Sequence, residues 1–247
     1  PDGPLSGVKV LDFTSVVVGP VATQFLADYG ADVVKIEAPS GDLLRRMGGA
    51  SCSGELSPKF LQMNRNKRSL CIDLRKADGQ ATIRTMMENV DVMVVNMRGP
   101  ALEKLGLTYE DACTVNKRII HCNMMGFGKR GQYYGKPAYD TIIQGGAGVA
   151  ACNERMTGEP RFVPMVFADH LVALIAGQMI LLALRARDLA GDSQSIEVPM
   201  FENVASFVLQ EHMGQKAFVP ERGDTDDQRI FDSNARPVKT KDGYLCV

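Results

Sequence analysis

An α/β fold, doubly wound around a parallel sheet, is what the sequence predicts, and three observations carry that prediction. Strand, helix and strand patterns follow one another within residues 8–37, which is a βαβ unit. The same alternation recurs between residues 69 and 125. The strand segments are continuous apolar runs such as VVKIE and DVMVV, not in/out alternations, as expected of strands covered on both faces.

Residues 8–13 (VKVLDF) open the sheet. Pro20 then stands where a helix can start, and PVATQFLADYG ends in Gly30, a C-terminal cap. Residues 31–37 form the second strand, 69–74 a third, 77–90 a helix and 91–96 a fourth strand. Short helical pieces follow near 100–105 and 108–114, then a strand over 118–125. GFGKRG (126–131) has the letters of a dinucleotide fingerprint, but QYYGKP follows it and Pro137 blocks the helix that the phosphate needs, so it reads as a loop. Residues 138–151 carry helical periodicity broken by glycines, and NERMTGEPR (153–161) reads as an exposed connection. A long apolar helix begins near Ala168, followed by a strand over SQSIEVP and a helix over MFENVASFVLQEHMGQ.

The large domain is expected over 1–217, with a polar linker at 218–235. Residues 236–247 are expected to open a smaller domain. Asp242-Gly243 is a turn leading into a strand with no expected partner, so the chain is expected to continue beyond Val247.

Twenty-eight basic and 29 acidic residues leave a net charge of −1, without the cationic excess that nucleic-acid binding requires. Six cysteines include no CxxC pair, no zinc spacing appears, and the first residues lack a charged and apolar leader. These features point to a reduced, cytoplasmic protein with no metal. Cys71, Cys122 and Cys246 lie in apolar runs and read as buried. The longest apolar run, 171–184, has 14 residues, too few to cross a bilayer, so no membrane partner is expected.

Asp169, at the start of the long helix, is either an N-cap or a nucleophilic carboxylate. Lys67 and Arg68, before a strand, are solvated or clamp an anion. Asn96 and Arg98 fall at the C-terminal end of a parallel strand, the edge where doubly wound sheets bind ligands. His121, in an apolar strand, reads as a core histidine.

Several segments, in order, resemble the class III CoA-transferases, the formyl-CoA transferase and CaiB/BaiF group. They are PLSGVKVLDFTSVVVGPVATQFLADYGADVVKIE, NRNKRSLCIDL, DVMVVNMRGPALEKLGL, AYDTIIQGGAG, FADHLVALIAGQMILLAL and GDSQSIEVPMFENV, together spanning roughly residues 4–210. The resemblance implies a Rossmann-like large domain, a smaller domain and an interlocked homodimer. It implies an acyl-CoA donor and a carboxylic acid acceptor as substrates, with CoA thioesters rather than a resident cofactor. It makes Asp169 the nucleophile that carries an aspartyl-CoA thioester, with Tyr139 and Asp140 nearby. It places Ser15, Val16, Val17 and Val18 beside CoA, with Lys67, Arg68, Asn96, Met97 and Arg98 as phosphate and adenosine contacts. Formyl-CoA transferases carry glutamine where Val17 stands, and a basic residue is common at the position of Ala38. The α-methylacyl-CoA racemases share the fold but use a histidine where Tyr139 stands, and tyrosine is a poorer base at neutral pH. A non-catalytic CoA-binding protein is the remaining alternative.

Overall fold

The computed structural model describes every residue except 1, 2, 50, 53, 55, 226–228, 233 and 247. Part of the expected linker and the terminal Val247 therefore lie outside the described residues.

Six parallel strands form one sheet: β1 (Lys9–Phe13), β2 (Asp32–Glu37), β3 (Arg68–Cys71), β4 (Val92–Val95), β5 (Ile120–Met125) and β6 (Gln194–Pro199). Their spatial order is 3-2-1-4-5-6, so the chain reverses its winding between β1 and β4. That reversal opens a crevice at the C-terminal ends of these two strands. Helices α1 (Val18–Asp28) and α8 (Phe167–Ala190) cover one face, and α3 (Ala77–Met87), α4 (Gly99–Leu105) and α5 (Tyr109–Val115) the other. Each face has its own apolar core, with Ala22, Leu26, Ala176 and Ile180 on the first and Leu11, Ile83, Met93 and Ile119 on the second.

Pro20 falls within the first turn of α1, where its missing N–H costs nothing. Gly30 takes φ 99° just beyond the helix, a conformation open to glycine. A short helix α2 (Pro58–Met63), capped by Ser57, precedes β3. The glycine-broken segment becomes α6 (Asp140–Gly146) and α7 (Val149–Thr157), parted by Gly148 at φ 92°. The expected connection at 153–161 is thus helical as far as Thr157. The last helix of the layer is α9 (Met200–His212).

Helix α8 has 24 residues and an 18-residue stretch with a mean hydropathy of 1.9, enough by length and composition to span a bilayer. It is longer than the 14-residue run suggests because Phe167–His170 and Arg185–Ala190 continue it. Its Val172, Ala176, Ile180 and Leu184 pack into the core, as in a crossover helix joining β5 to β6. Arg187, near its end, pairs with Asp91 at 2.8 Å and fixes the helix to the start of β4.

Two expectations need correcting. The strand after Asp242-Gly243 has a partner: β7 (Val238–Lys239) pairs antiparallel with β8 (Tyr244–Leu245). Cys122 is buried, and burial pushes its thiol up to about 12, but Cys71 and Cys246 are exposed. Cys71 sits on the sheet's edge strand and Cys246 outside the sheet, where an apolar neighbour in sequence brings no cover.

Candidate active site

Between β1 and α1 the chain passes through Thr14, Ser15, Val16 and Val17, and polar side chains hold the first three. Asp12 is completely buried and accepts hydrogen bonds from the Thr14 N–H at 2.9 Å and the Thr23 hydroxyl at 2.6 Å. Lys67 Nζ meets the same carboxylate at 2.9 Å. Burial alone would raise the proton affinity of Asp12; the Lys67 and Lys35 ammoniums and the hydroxyls of Thr14 and Thr23 overcome it and hold the carboxyl at about 2. Ser15 is held from across the crevice: its N–H donates to Asn96 Oδ1 at 3.0 Å, and Asn96 Nδ2 donates to its carbonyl at 2.9 Å.

This Ser15–Asn96 bridge divides the crevice into two basins. One, of about 450 Å³, lies towards β2 and β3 and is lined by Thr14, Ser15, Glu37, Asp42, Arg75 and Met97. The other, of about 750 Å³, lies towards β5 and is lined by Asn96, Arg98, Tyr134, Lys136 and Tyr139. Asn96, Met97, Arg98 and Ser15 thus stand together at the crevice, and Tyr139, 68% exposed, is on its far wall.

Val17 and Val18 are buried in the core, which leaves Ser15 and the backbone as the loop's outer surface. Lys67 was expected to contact phosphate, but its side chain turns into the fold, 1% exposed. Its ammonium is buried among Asp12, the Pro20 carbonyl, Thr23 and Asn64, at 2.8–2.9 Å from each. Burial lowers its proton affinity, and Asp12 offsets part of that. Arg68 is exposed but begins β3 and pairs with Asp32 at 2.7 Å, the residue that begins β2. It therefore lies towards the opposite edge of the sheet from Asn96 and Arg98.

Asp169 is in the first turn of α8 but does not cap it. Asp140, at the start of α6, reaches across and accepts the N–H groups of Ala168 at 2.7 Å and Asp169 at 3.2 Å. The buried Gln144 carboxamide holds the other Asp140 oxygen and also accepts from the Val163 N–H at 2.9 Å. The helix-start N–H groups are thus committed to Asp140, which corrects the idea that Asp169 uses them. Burial, reinforced by the negative charge of Asp140, pushes Asp169 up to about 7. A desolvated carboxylate without these local donors is a stronger base and nucleophile than a capped one.

Sequence reasoning missed Lys35, Glu37 and Asp42. Lys35 sits inside an apolar strand pattern, where nothing local marks it out, and is 1% exposed. Glu37 is bound to Arg45 through two hydrogen bonds of 2.8 and 2.7 Å. Burial opposes its ionisation, but Arg45, the Asp42 N–H and the Lys35 charge together outweigh burial and lower its proton affinity. An acidic residue at the end of β2 is where dinucleotide-binding folds hold a ribose; here Arg45 and the Asp42 N–H occupy it. The GFGKRG segment is a loop, as expected, with the Gly128 N–H donating to Glu202 at 2.9 Å. His121 is buried with Nε2 3.0 Å from the Leu107 carbonyl, and burial lowers its proton affinity. Among the described residues no cluster of histidine, cysteine or carboxylate side chains is arranged to hold a metal ion.

The profile of CoA-transferase family III matches residues 5–247. The chain is 33% identical over 216 residues to a succinate–glutarate CoA-transferase of Agrobacterium fabrum, covering 85% of this chain and 54% of that protein. It is 34% identical over 212 residues to an acetyl-CoA:oxalate CoA-transferase of Acetobacter aceti, covering 84% and 54%. The crystal structure of a CaiB/BaiF family protein from Brucella suis superposes with a TM-score of 0.87 at 30% identity, covering 99% of this chain and 65% of that one. The chain spans about half the length of the curated relatives it matches.

Proposed function

The chain belongs to CoA-transferase family III, and from that premise we propose that it moves CoA from an acyl-CoA donor to a carboxylic acid through Asp169. The observation that carries this reading is the Asp169 carboxylate, desolvated beside Asp140 and deprived of the helix-start donors.

The ionised Asp169 oxygen attacks the donor thioester carbonyl. The C–S bond breaks, a mixed anhydride forms and CoA leaves as thiolate. The thiolate then attacks the aspartyl carbonyl, which releases the donor acid and leaves an aspartyl-CoA thioester. The acceptor carboxylate attacks that thioester, and the returning thiolate attacks the acceptor's carbonyl in the new anhydride. Asp169 is regenerated and no net proton is consumed. Anhydride and thioester are both activated acyl groups, so each step is reversible.

Relatives named for succinate and glutarate, for oxalate and for mesaconate support a small carboxylic acid as acceptor and a short acyl-CoA as donor. A homodimer accompanies this reading. Leu174, Leu182 and Leu189 form an exposed apolar row on α8, which suits cover by a second copy. Light scattering at micromolar concentration tests it, and a monomer counts against it.

Peptide mass spectrometry after mixing with a panel of acyl-CoAs tests the chemistry. A hydroxylamine-sensitive CoA or acyl adduct on the peptide carrying Asp169 is the expected result. No adduct, with deuterium exchange at the α-carbon of a branched acyl-CoA, replaces transfer by proton-transfer chemistry of the racemase kind.

A further inference from the structure

Among the described non-glycine residues Val16 and Asn66 have positive φ, at 68° and 62°. Asparagine tolerates that conformation, but a β-branched side chain opposes it. The Val16 N–H donates to both oxygens of Asp42, at 3.1 and 3.3 Å. Asp42 is buried, accepts the Leu44 N–H at 2.9 Å and meets Lys35 Nζ at 3.0 Å. The same ammonium donates to the Thr14 carbonyl at 2.9 Å. Lys35 and Asp42 therefore grip the chain on both sides of Ser15, while Asn96 grips Ser15 itself. Thr14, Ser15 and Asp42 all line the smaller basin. A buried ion pair adds little stability over an apolar pair of similar volume; this pair instead imposes one unfavourable backbone conformation on the wall of a ligand crevice.

We propose that Lys35 and Asp42 are positioning residues for CoA, which hold Val16 in the left-handed conformation so that the smaller basin is preformed before the ligand arrives. This rests on the CoA-transferase reading above. The pair acts through the loop, so its loss weakens binding, while the chemistry at Asp169 is spared.

The test is calorimetric titration of free CoA into the wild type, Asp42→Asn, Val16→Gly and the double variant, with amide hydrogen exchange of the 14–17 segment. Glycine adopts the left-handed conformation without strain. Asp42→Asn is expected to bind CoA about tenfold more weakly and to exchange faster at 14–17, and adding Val16→Gly should recover most of that affinity. If Asp42→Asn does not fold, Lys35→Met with Asp42→Leu removes both charges together and should give the same loss and the same rescue. Wild-type affinity in Asp42→Asn, or a loss that glycine at 16 does not relieve, overturns the proposal. Unchanged exchange at 14–17 overturns it independently of any ligand. A wild type that does not bind CoA, with exchange responding as expected, refutes positioning for CoA through failure of the CoA reading and leaves the grip on the loop standing.

Discussion

Replacing Asp169 by asparagine keeps the shape of the side chain and removes its charge, so it isolates the cost of that charge. In the unfolded chain the carboxyl titrates near 3.8; in the fold, burial and the charge of Asp140 push it up to about 7. A tenfold change in proton affinity is worth about 1.4 kcal/mol, so roughly three such factors set a ceiling near 4 kcal/mol. Asp169 is not fully enclosed, and solvent screening reduces this to about 2–4 kcal/mol. The sign follows from linkage. Below about pH 4 the group is neutral in both states and the two proteins have similar stability. Between pH 4 and 7 the unfolded wild type releases its proton while the folded form keeps it, so wild-type stability falls as pH rises. Above about pH 7 the full penalty applies, and Asp169→Asn is the more stable protein by about 2–4 kcal/mol. Urea unfolding at pH 4, 6 and 8 reads this directly. A difference that does not grow with pH, or an asparagine variant less stable at pH 8, refutes the argument that Asp169 is held at a cost.

The other predictions concern the same network and its chemistry. Asp12→Asn leaves Lys67 buried without its counter-ion and should cost about 3–5 kcal/mol by urea unfolding, with Lys67→Met in the same chain recovering more than half; no recovery refutes a pairwise role. Asp140→Asn removes the neighbouring charge, so the Asp169 midpoint read by carbon-13 NMR should fall below its value of about 7; an unmoved midpoint assigns the whole effect to burial. If Asp169 is the nucleophile, kcat/KM for CoA transfer should rise with pH and level off above about 7. A rate that falls between pH 6 and 8 argues for the protonated acid as the active form.

The sheet was legible because apolar β-branched runs and turn residues report local structure, and the strands from VKVLDF to SQSIEVP appear where their pattern puts them. The position of Asn96 and Arg98 at the crevice was legible because the C-terminal end of a parallel strand fixes which edge a residue occupies. Lys67 and Arg68 were not. They are adjacent in sequence, yet one ammonium turns into a buried cage around Asp12 and the other side chain lies on an outer strand. Asp140 capping α8 is a contact across 28 residues, and no local pattern at Asp169 reports that its expected capping role is already filled. The Lys35–Asp42 pair was hidden for a similar reason: hydropathy patterns record that a lysine interrupts an apolar run, not that a carboxylate on the next loop neutralises it.

The place of α8 as crossover between β5 and β6 also has a consequence during synthesis. Residue 125 ends β5 and residue 194 begins β6, so 68 residues separate the two. At ordinary translation rates that interval lasts roughly 3–14 s. Throughout it, β5 presents an unpaired backbone edge, and its Ile120, Cys122 and Met124 lack the helix that covers them in the finished sheet. The nascent chain is therefore most open to edge-to-edge association before α8 and β6 have emerged. Slower translation through residues 126–193 should lower soluble yield without changing the stability of the finished protein.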